Sequence, residues 1–298
     1  MSFSANVKSE LCRLEVEKNC CAPAEAMGVL LYANTFSADS VRIVTESRDF
    51  GTRLPRLFRK AFGVSFDLLP EMDAAGKLSY CINEEEKIRK VFELCGFSAE
   101  SSISLHVNLA LLEQDCCRRA FLRGAFLAGG SVTDPEKRYH LELSTTHLSV
   151  SRETEALMRE MELAPKETAR KGSSVLYFKQ SECIEDFLTL MGAPVSAMAV
   201  MAAKIDKDWR NDANRKTNCD SANVDKAVAA AQEQLTALRS LAERGLLDTL
   251  PEKLRETAIL RQENPSATLA ELAELHEPPL SKSAINHRLR KLVSLAAE

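Results

Sequence analysis

The side chains best suited to chemistry lie near the C-terminus, in Ser281-Lys-Ser-Ala-Ile-Asn-His-Arg-Leu-Arg-Lys-Leu292. Ile285, Leu289 and Leu292 recur at the i, i+4, i+7 spacing of a helix core face. The opposite side carries Lys282, Ser283, Asn286, His287 and Arg290, with Arg288 and Lys291 flanking. These types read base edges and hold phosphates: Asn pairs bidentately with adenine, Arg or Lys with guanine, and the remaining cations contact the backbone. Residues 281–298 hold four cations against one anion, whereas an ordinary amphipathic bundle helix mixes Glu among its Lys and Arg. The implied ligand is double-stranded DNA.

Such a helix needs a support. Thr268 and Glu271 have capping-box spacing, so a helix over 269–275 starts cleanly. Pro278-Pro279 marks a turn, and Ser281 can cap the last helix. Two short helices joined by a tight turn, the second carrying the donors, are the geometry of major-groove insertion. Thr268 and Ser281 therefore join Lys282, Ser283, Asn286, His287, Arg288, Arg290 and Lys291 as candidate DNA contacts. Upstream, the pattern predicts a helix over 223–241 with Val224, Val228, Ala231, Leu235 and Leu238 on one face, ended near Gly245. A further helix follows Pro251, with Leu254, Ala258 and Arg261 in step.

A polar string precedes these helices. On a helix Asn214 and Asn218 stand four apart, as do Asn211 and Arg215, lining adjacent stripes. Arg210, Arg215 and Lys216 are candidates for phosphate contact, and the whole set, with Asn211, Asn214 and Asn218, for either backbone contact or a hinge. Asn is a mediocre helix former, so a broken, solvated linker is the plain alternative.

The 298 residues suffice for two domains, with 45% hydrophobic and 28% charged residues, as in folded globular proteins. A formal net charge of −4 argues against coating nucleic acid indiscriminately; affinity for DNA has to come from a local patch. Cysteines at 12, 20, 21, 81, 95, 116, 117, 183 and 219 include two adjacent pairs and no Cys-x-x-Cys, which fits neither a disulfide framework nor a zinc ribbon. Reduced, packed thiols and a cytoplasmic address are expected. Cys116-Cys117 with His106 or His140 lacks metal-ligand spacing, and adjacent cysteines on one helix point to different sides; neither a metal nor a cofactor is expected. The N-terminus lacks the apolar stretch of a signal peptide, and no run reaches the roughly 18 apolar residues of a membrane span.

The chain also repeats itself at a shift of 96. Gly28-Val-Leu-Leu meets Gly124-Ala-Phe-Leu, Leu78-Ser-Tyr-Cys-Ile82 meets Ser174-Val-Leu-Tyr-Phe178, and Leu94-Cys-Gly96 meets Leu190-Met-Gly192. Each copy reads as helix, β-prone hairpin, helix, strand, helix: 24–33, 40–46, 54–62, 77–82 and 85–95 in the first, 116–129, 140–146, 153–163, 174–179 and 183–191 in the second. Each half needs the other to cover its apolar face. Gly124, Ala125, Ala128 and Gly129, with Gly28 and Ala33, make the two first helices the expected joint.

Leu122-Arg-Gly-Ala-Phe-Leu-Ala-Gly-Gly130 resembles a degenerate LAGLIDADG motif, and Ala26-Met-Gly-Val-Leu-Leu-Tyr-Ala-Asn34 a weaker one. With Arg210-Asn-x-x-Asn-Arg-x-x-Asn-Cys219 and the C-terminal string, these segments are similar to the WhiA family of bacterial DNA-binding regulators, over nearly the whole chain. The resemblance implies an α+β protein: a duplicated LAGLIDADG-like domain with antiparallel sheets over 1–195 (αββαβα-type repeats near 20–105 and 116–195), a connector over 196–223, and an all-α helix-turn-helix domain over 224–298. In LAGLIDADG nucleases each paired helix ends in an acid that holds catalytic metal; here those positions are Ala33 and Gly129, which cannot ligate Mg²⁺. Asp39 lies nearby, as does Asp134, which precedes Pro135 in a turn. The sheets could still touch DNA through Arg42, Arg48, Arg53, Arg56, Arg59, Lys60, Arg138, Lys166, Arg170, Lys171 and Lys179. Transcription control, cell division, chromosome segregation and sporulation in spore formers follow from the resemblance, as do a nucleoid-associated address and contact with the RNA polymerase sigma factor. An active LAGLIDADG-type endonuclease and a protein-interaction scaffold are the alternatives.

Overall fold

The computed structural model describes residues 2–16, 18–71, 76–97 and 104–297. The chain divides into two compact units, Met1–Asp208 and Trp209–Glu298. The first opens with α1 (Phe3–Arg13), capped by Ser2, whose Oγ accepts from the Ala5 N–H at 3.2 Å. One repeat follows as α2 (Cys21–Leu31), β1 (Thr35–Phe36), β2 (Val41–Thr45), α3 (Arg48–Phe62), β3 (Leu78–Ile82) and α4 (Glu85–Cys95). The second is α5 (Asp115–Gly129), β4 (Gly130–Val132), β5 (Leu141–Thr145), α6 (Leu148–Glu160), β6 (Lys166–Arg170), β7 (Ser173–Phe178) and α7 (Ser181–Met191).

Both sheets are antiparallel, in the orders β1-β2-β3 and β4-β5-β7-β6. Thr45 pairs with Leu78 in one sheet and Thr145 with Ser174 in the other, so the pairing repeats although β2 and β5 stand 100 residues apart and β3 and β7 96. β6 is the strand that the sequence reading missed. All five of its residues are exposed, so it carries no apolar alternation. It pairs with β7 through a two-residue turn, Lys171-Gly172, at φ 52° and 81°, the left-handed pair that a tight hairpin demands. In the first repeat the corresponding edge of β3 holds, among the described residues, one bridge from Leu68 to Cys81. The helix expected from 54 starts at Arg48, because Ser47 Oγ accepts from the Phe50 N–H and caps it earlier.

α2 and α5 form the joint, as the small residues predicted. α2 is buried on nearly all sides. A β-carbon on Gly28 would stand 2.2 Å from the Phe121 carbonyl oxygen, and one on Gly124 would stand 2.0 Å from that of Glu25. Each glycine thus faces the other helix's backbone, which only a residue without a side chain permits. Beside this contact Glu25 is fully buried. Arg53 of α3 grips it with two bonds (Nε to Oε1 2.6 Å, Nη2 to Oε2 3.0 Å), and Arg123 of α5 donates to Oε2 from Nε at 2.9 Å. Arg53 also donates to the Cys12 carbonyl and Arg123 to that of Met191, so one carboxylate ties five helical regions together. Burial alone would pull the Arg53 guanidinium down, but the Glu25 carboxylate more than offsets this and holds it above its ordinary value.

α8 (Pro194–Glu243) is one helix of 50 residues, with Ala197, Val200 and Ala203 buried in the first unit and Leu238 and Leu241 in the second. The stretch expected as a connector over 196–223 is therefore helical throughout. No Gly or Pro occurs between 195 and 244, and the modest cost of each Asn does not stop a helix already propagating. Val224 and Val228, expected on a core face, are 60% and 50% exposed, so the helical period is present there without a covering partner. The second unit continues with a short 3₁₀ turn (Leu247–Thr249), α9 (Glu252–Glu263), α10 (Leu269–Glu274) and α11 (Lys282–Ala297). Its core is Leu238, Leu241, Leu254, Ala258, Leu272, Ala273, Ile285, Leu289 and Leu292. Among the described residues no helix is long and apolar enough to cross a membrane.

Gly124→Ala should lower stability by about 1–3 kcal/mol, since backbone must move to admit the methyl group. Gly172→Ala, with open space around it and only φ strain to oppose it, should cost less. Thermal melting of both variants checks the order; equal losses would show that α2 and α5 can slide apart without penalty.

Candidate nucleic-acid interface

The second unit presents α11 on a capped support. Thr268 Oγ1 accepts from the Glu271 N–H at 3.3 Å and Glu271 Oε2 accepts from the Thr268 N–H at 2.7 Å, the capping box expected from the sequence. Those bonds hold the Glu271 carboxyl below its ordinary range. The connection over 275–281 is longer than the tight turn expected. Its two prolines cannot continue a helix, and it closes by a bond from the Leu280 N–H to the Ala273 carbonyl at 2.9 Å. Ser281 Oγ then accepts from the Ala284 N–H at 3.2 Å and starts α11.

Ile285, Leu289 and Leu292 turn inward, as their spacing required. Lys282, Ser283, His287, Arg290 and Lys291 are exposed, Asn286 is half-buried beside them, and residues 282–297 include no Asp or Glu. Arg288 is held differently. Its Nη1 donates to the Lys253 carbonyl and to Thr257 Oγ1, both at 3.2 Å, so the side chain braces α11 against α9. Sequence spacing places Arg288 among the candidate DNA contacts as a cation flanking the polar side that carries Arg290; the structure fastens it to α9 instead. Thr257 Oγ1 also meets Nε2 of His276 at 3.2 Å; His276 is 2% exposed, with Nδ1 3.5 Å from Glu256. Burial pulls the His276 imidazole below its ordinary range, Glu256 pushes back, and the Arg288 charge adds to the fall.

On α8, Arg210, Asn211, Asn214, Arg215, Lys216 and Asn218 are all exposed along one continuous helix. Acids are interleaved with them: Arg215 Nη1 lies 3.8 Å from Asp212.

In the first unit, Ala33 follows the end of α2 and Gly129 ends α5, where paired acids would otherwise converge. A β-carbon on Gly129 would stand 2.5 Å from the Ser144 carbonyl oxygen and 3.0 Å from the Tyr32 ring, so not even the stem of a carboxylate fits. Lys8 brings an amine there instead, donating to the Leu127 carbonyl at 3.0 Å, and burial lowers its pKa to about 8 despite Cys12 and Glu46. Asp134 is a turn residue: its Oδ1 accepts from the Glu136 N–H at 3.0 Å. Of the basic residues proposed for a DNA-facing surface, Arg53 is instead buried on Glu25, Arg170 pairs with Glu142 at 2.8 Å, and Lys60 bonds the Val16 carbonyl.

One arrangement was not foreseen. Cys20, Cys21, Cys116 and Cys117 meet at the heads of α2 and α5, with all four sulfurs within 4.8 Å of one another. The sequence argument that two adjacent cysteines diverge on one helix fails here, because Cys20 precedes α2 instead of lying within it and its sulfur stands 3.9 Å from that of Cys21; the fold then supplies the second pair. A common shift of 96 between the pairs was the available signal.

Two family descriptions match the chain: "WhiA LAGLIDADG-like domain" over residues 118–210 and "WhiA C-terminal HTH domain" over 213–296. The chain is 38% identical to a "Probable cell division protein WhiA" of Ruminiclostridium cellulolyticum over 304 residues, covering 99% of this chain and 97% of that protein. It is likewise 38% identical to one from Desulforamulus reducens, covering 99% and 95%. Among solved structures, full-length DUF199/WhiA from "Thermatoga maritima" superposes with a TM-score of 0.61 at 21% identity, over 100% of this chain and 98% of that one, a likeness of fold.

Because folding lowers the His276 pKa, the unfolded chain binds more protons near and below pH 6.5, the ordinary histidine value. Stability of the second unit should hold above about pH 6.5 and fall as pH drops towards the lowered value. Hydrogen exchange of α9–α11 amides at about pH 7.5 and 5.5 reads this locally. His276→Gln should flatten the dependence; an unchanged slope in that variant would remove His276 as its source.

Proposed function

The chain belongs to the WhiA family, and from that premise we propose that it is a sequence-specific regulator of transcription that binds double-stranded DNA through α11 and cleaves nothing. The observation that carries this reading is the exposed side of α11, where Lys282, His287, Arg290 and Lys291 stand in solvent beside Asn286 with no carboxylate on the helix. Asn286 and Arg290 are the base-reading pair, Lys282, Ser283 and Lys291 hold phosphates, and the N–H groups at the Ser281-capped start of α11 favour an anion. Arg288 serves as a brace that fixes the angle of the helix rather than as a contact. Thr268 anchors the supporting helix, and Arg210, Asn211, Asn214, Arg215, Lys216 and Asn218 form a secondary backbone-contact or hinge set on α8.

The helix ends support the absence of cleavage. Hydrolysis of a phosphodiester by a metal ion needs oxygen ligands there, and Ala33 and Gly129 supply none. Roles in cell division, chromosome segregation and, in spore formers, sporulation rest on the family resemblance, together with a cytoplasmic, nucleoid-associated address and contact with the RNA polymerase sigma factor.

Selection of bound sequences from a random duplex pool tests this reading. The full chain should enrich a consensus. Asn286→Ala and Arg290→Ala should each lose about 1–3 kcal/mol of discrimination at one position, while Lys291→Ala should weaken all sequences alike and flatten the salt dependence. An unchanged consensus in both of the first two variants would remove α11 from the reading role. Incubation with Mg²⁺ should leave supercoiled plasmid intact.

A further inference from the structure

The four thiols at the heads of α2 and α5 have no part in reading DNA. Cys20 precedes α2 and Cys21 opens it; Cys116 and Cys117 lie in the first turn of α5. The two pairs occupy equivalent places in the two repeats and face each other across the joint. Cys20 Sγ lies 3.9 Å from that of Cys21 and 4.0 Å from that of Cys116, inside a set whose members all lie within 4.8 Å. A tetrahedral ion with Zn–S bonds of about 2.3 Å separates its sulfurs by about 3.8 Å, so the two pairs at 3.9 and 4.0 Å are already in place and the widest needs to close by no more than about 1 Å, within reach of side-chain rotation. We propose that Cys20, Cys21, Cys116 and Cys117 form a tetrathiolate zinc site that staples the two repeats together.

The surroundings fit a single soft divalent ion. The sulfurs stand too close for a multi-iron cluster, whose four cysteines are spread over two or four irons, and a lone disulfide would engage only two of the four thiols that meet here. Four thiolates around Zn²⁺ carry two net negative charges, and both helices place the positive ends of their dipoles beside them. Gln114 Oε1 lies 3.7 Å and 3.4 Å from the Cys20 and Cys116 sulfurs; rotated about its terminal bond, the same amide donates N–H to those thiolates. Cys21 and Cys117 are buried, Cys116 is half-buried and Cys20 is exposed, which gives the ion a way in and a dry seat. All four coordination positions are filled by sulfur, so the ion is structural. It sits at the opposite end of α2 and α5 from Ala33 and Gly129, where LAGLIDADG catalysis takes place.

The test is metal analysis of the full chain, purified under reducing conditions without chelator. About one zinc per chain is expected. Titration of the stripped protein with Co²⁺ should give thiolate-to-cobalt charge-transfer bands and the intense visible bands of a tetrahedral site, saturating at about one equivalent. Cys20→Ser combined with Cys116→Ser should abolish stoichiometric metal while circular dichroism stays folded, since both buried thiols remain; Cys183→Ser should bind as the wild type does. Absence of zinc with no cobalt bands in the wild type, a Cys20–Cys116 disulfide in the reduced preparation, or undiminished metal in the double variant would overturn the proposal. The cobalt titration of the wild type needs no variant to fold.

Discussion

Two glycines facing two carbonyl oxygens set the geometry of the first unit. Gly28 lies over Phe121 and Gly124 over Glu25, and these two contacts exchange under the repeat shift of 96 residues. With the backbones this close, nothing longer than hydrogen fits between them, and the remaining features follow from that proximity. A carboxylate at Glu25 is sealed from water and so requires the two guanidinium groups that reach it. The heads of the helices come near enough for four thiols to meet. Their tails converge as well, where Gly129 packs on Ser144 and Tyr32.

At the tails the chain's own side chains occupy the helix ends. Thr145 Oγ1 donates to the Leu31 carbonyl at 2.9 Å and Lys8 to that of Leu127, so terminal carbonyls of both helices are satisfied by side chains of this chain. The half-buried Lys8 amine thus lies at the end of α5, near Gly129. In the second unit the division of labour is between residues that look alike in sequence. Arg290 stands in solvent on α11, whereas Arg288, two positions earlier, is fastened to Lys253 and Thr257 on α9.

Much of this was legible in the residues because it rests on local periodicity. The apolar stripe of α11, the Thr268–Glu271 cap, the repeat and the small residues of the α2–α5 joint all follow from spacing. What escaped was decided by partners distant in sequence. β6 has no buried face and exists through pairing with β7. Arg53 reads as a surface cation until Glu25, on another helix, claims it. The four cysteines read as two unrelated pairs until the repeat is folded. Helix length escaped for a different reason: Asn-rich sequence suggests a break, but each Asn costs only tenths of a kcal/mol where no Gly or Pro intervenes.

Glu25 also breaks the symmetry of the duplication. Under the repeat shift its counterpart is Phe121, so the joint carries one acid, gripped by an arginine from each half. Two copies of the first half would bury a pair of like charges at the crossing, and two copies of the second would leave the Arg123 guanidinium without its counterion. The halves are therefore not interchangeable at this crossing: one carboxylate, supplied by the first half alone, fastens an arginine of each.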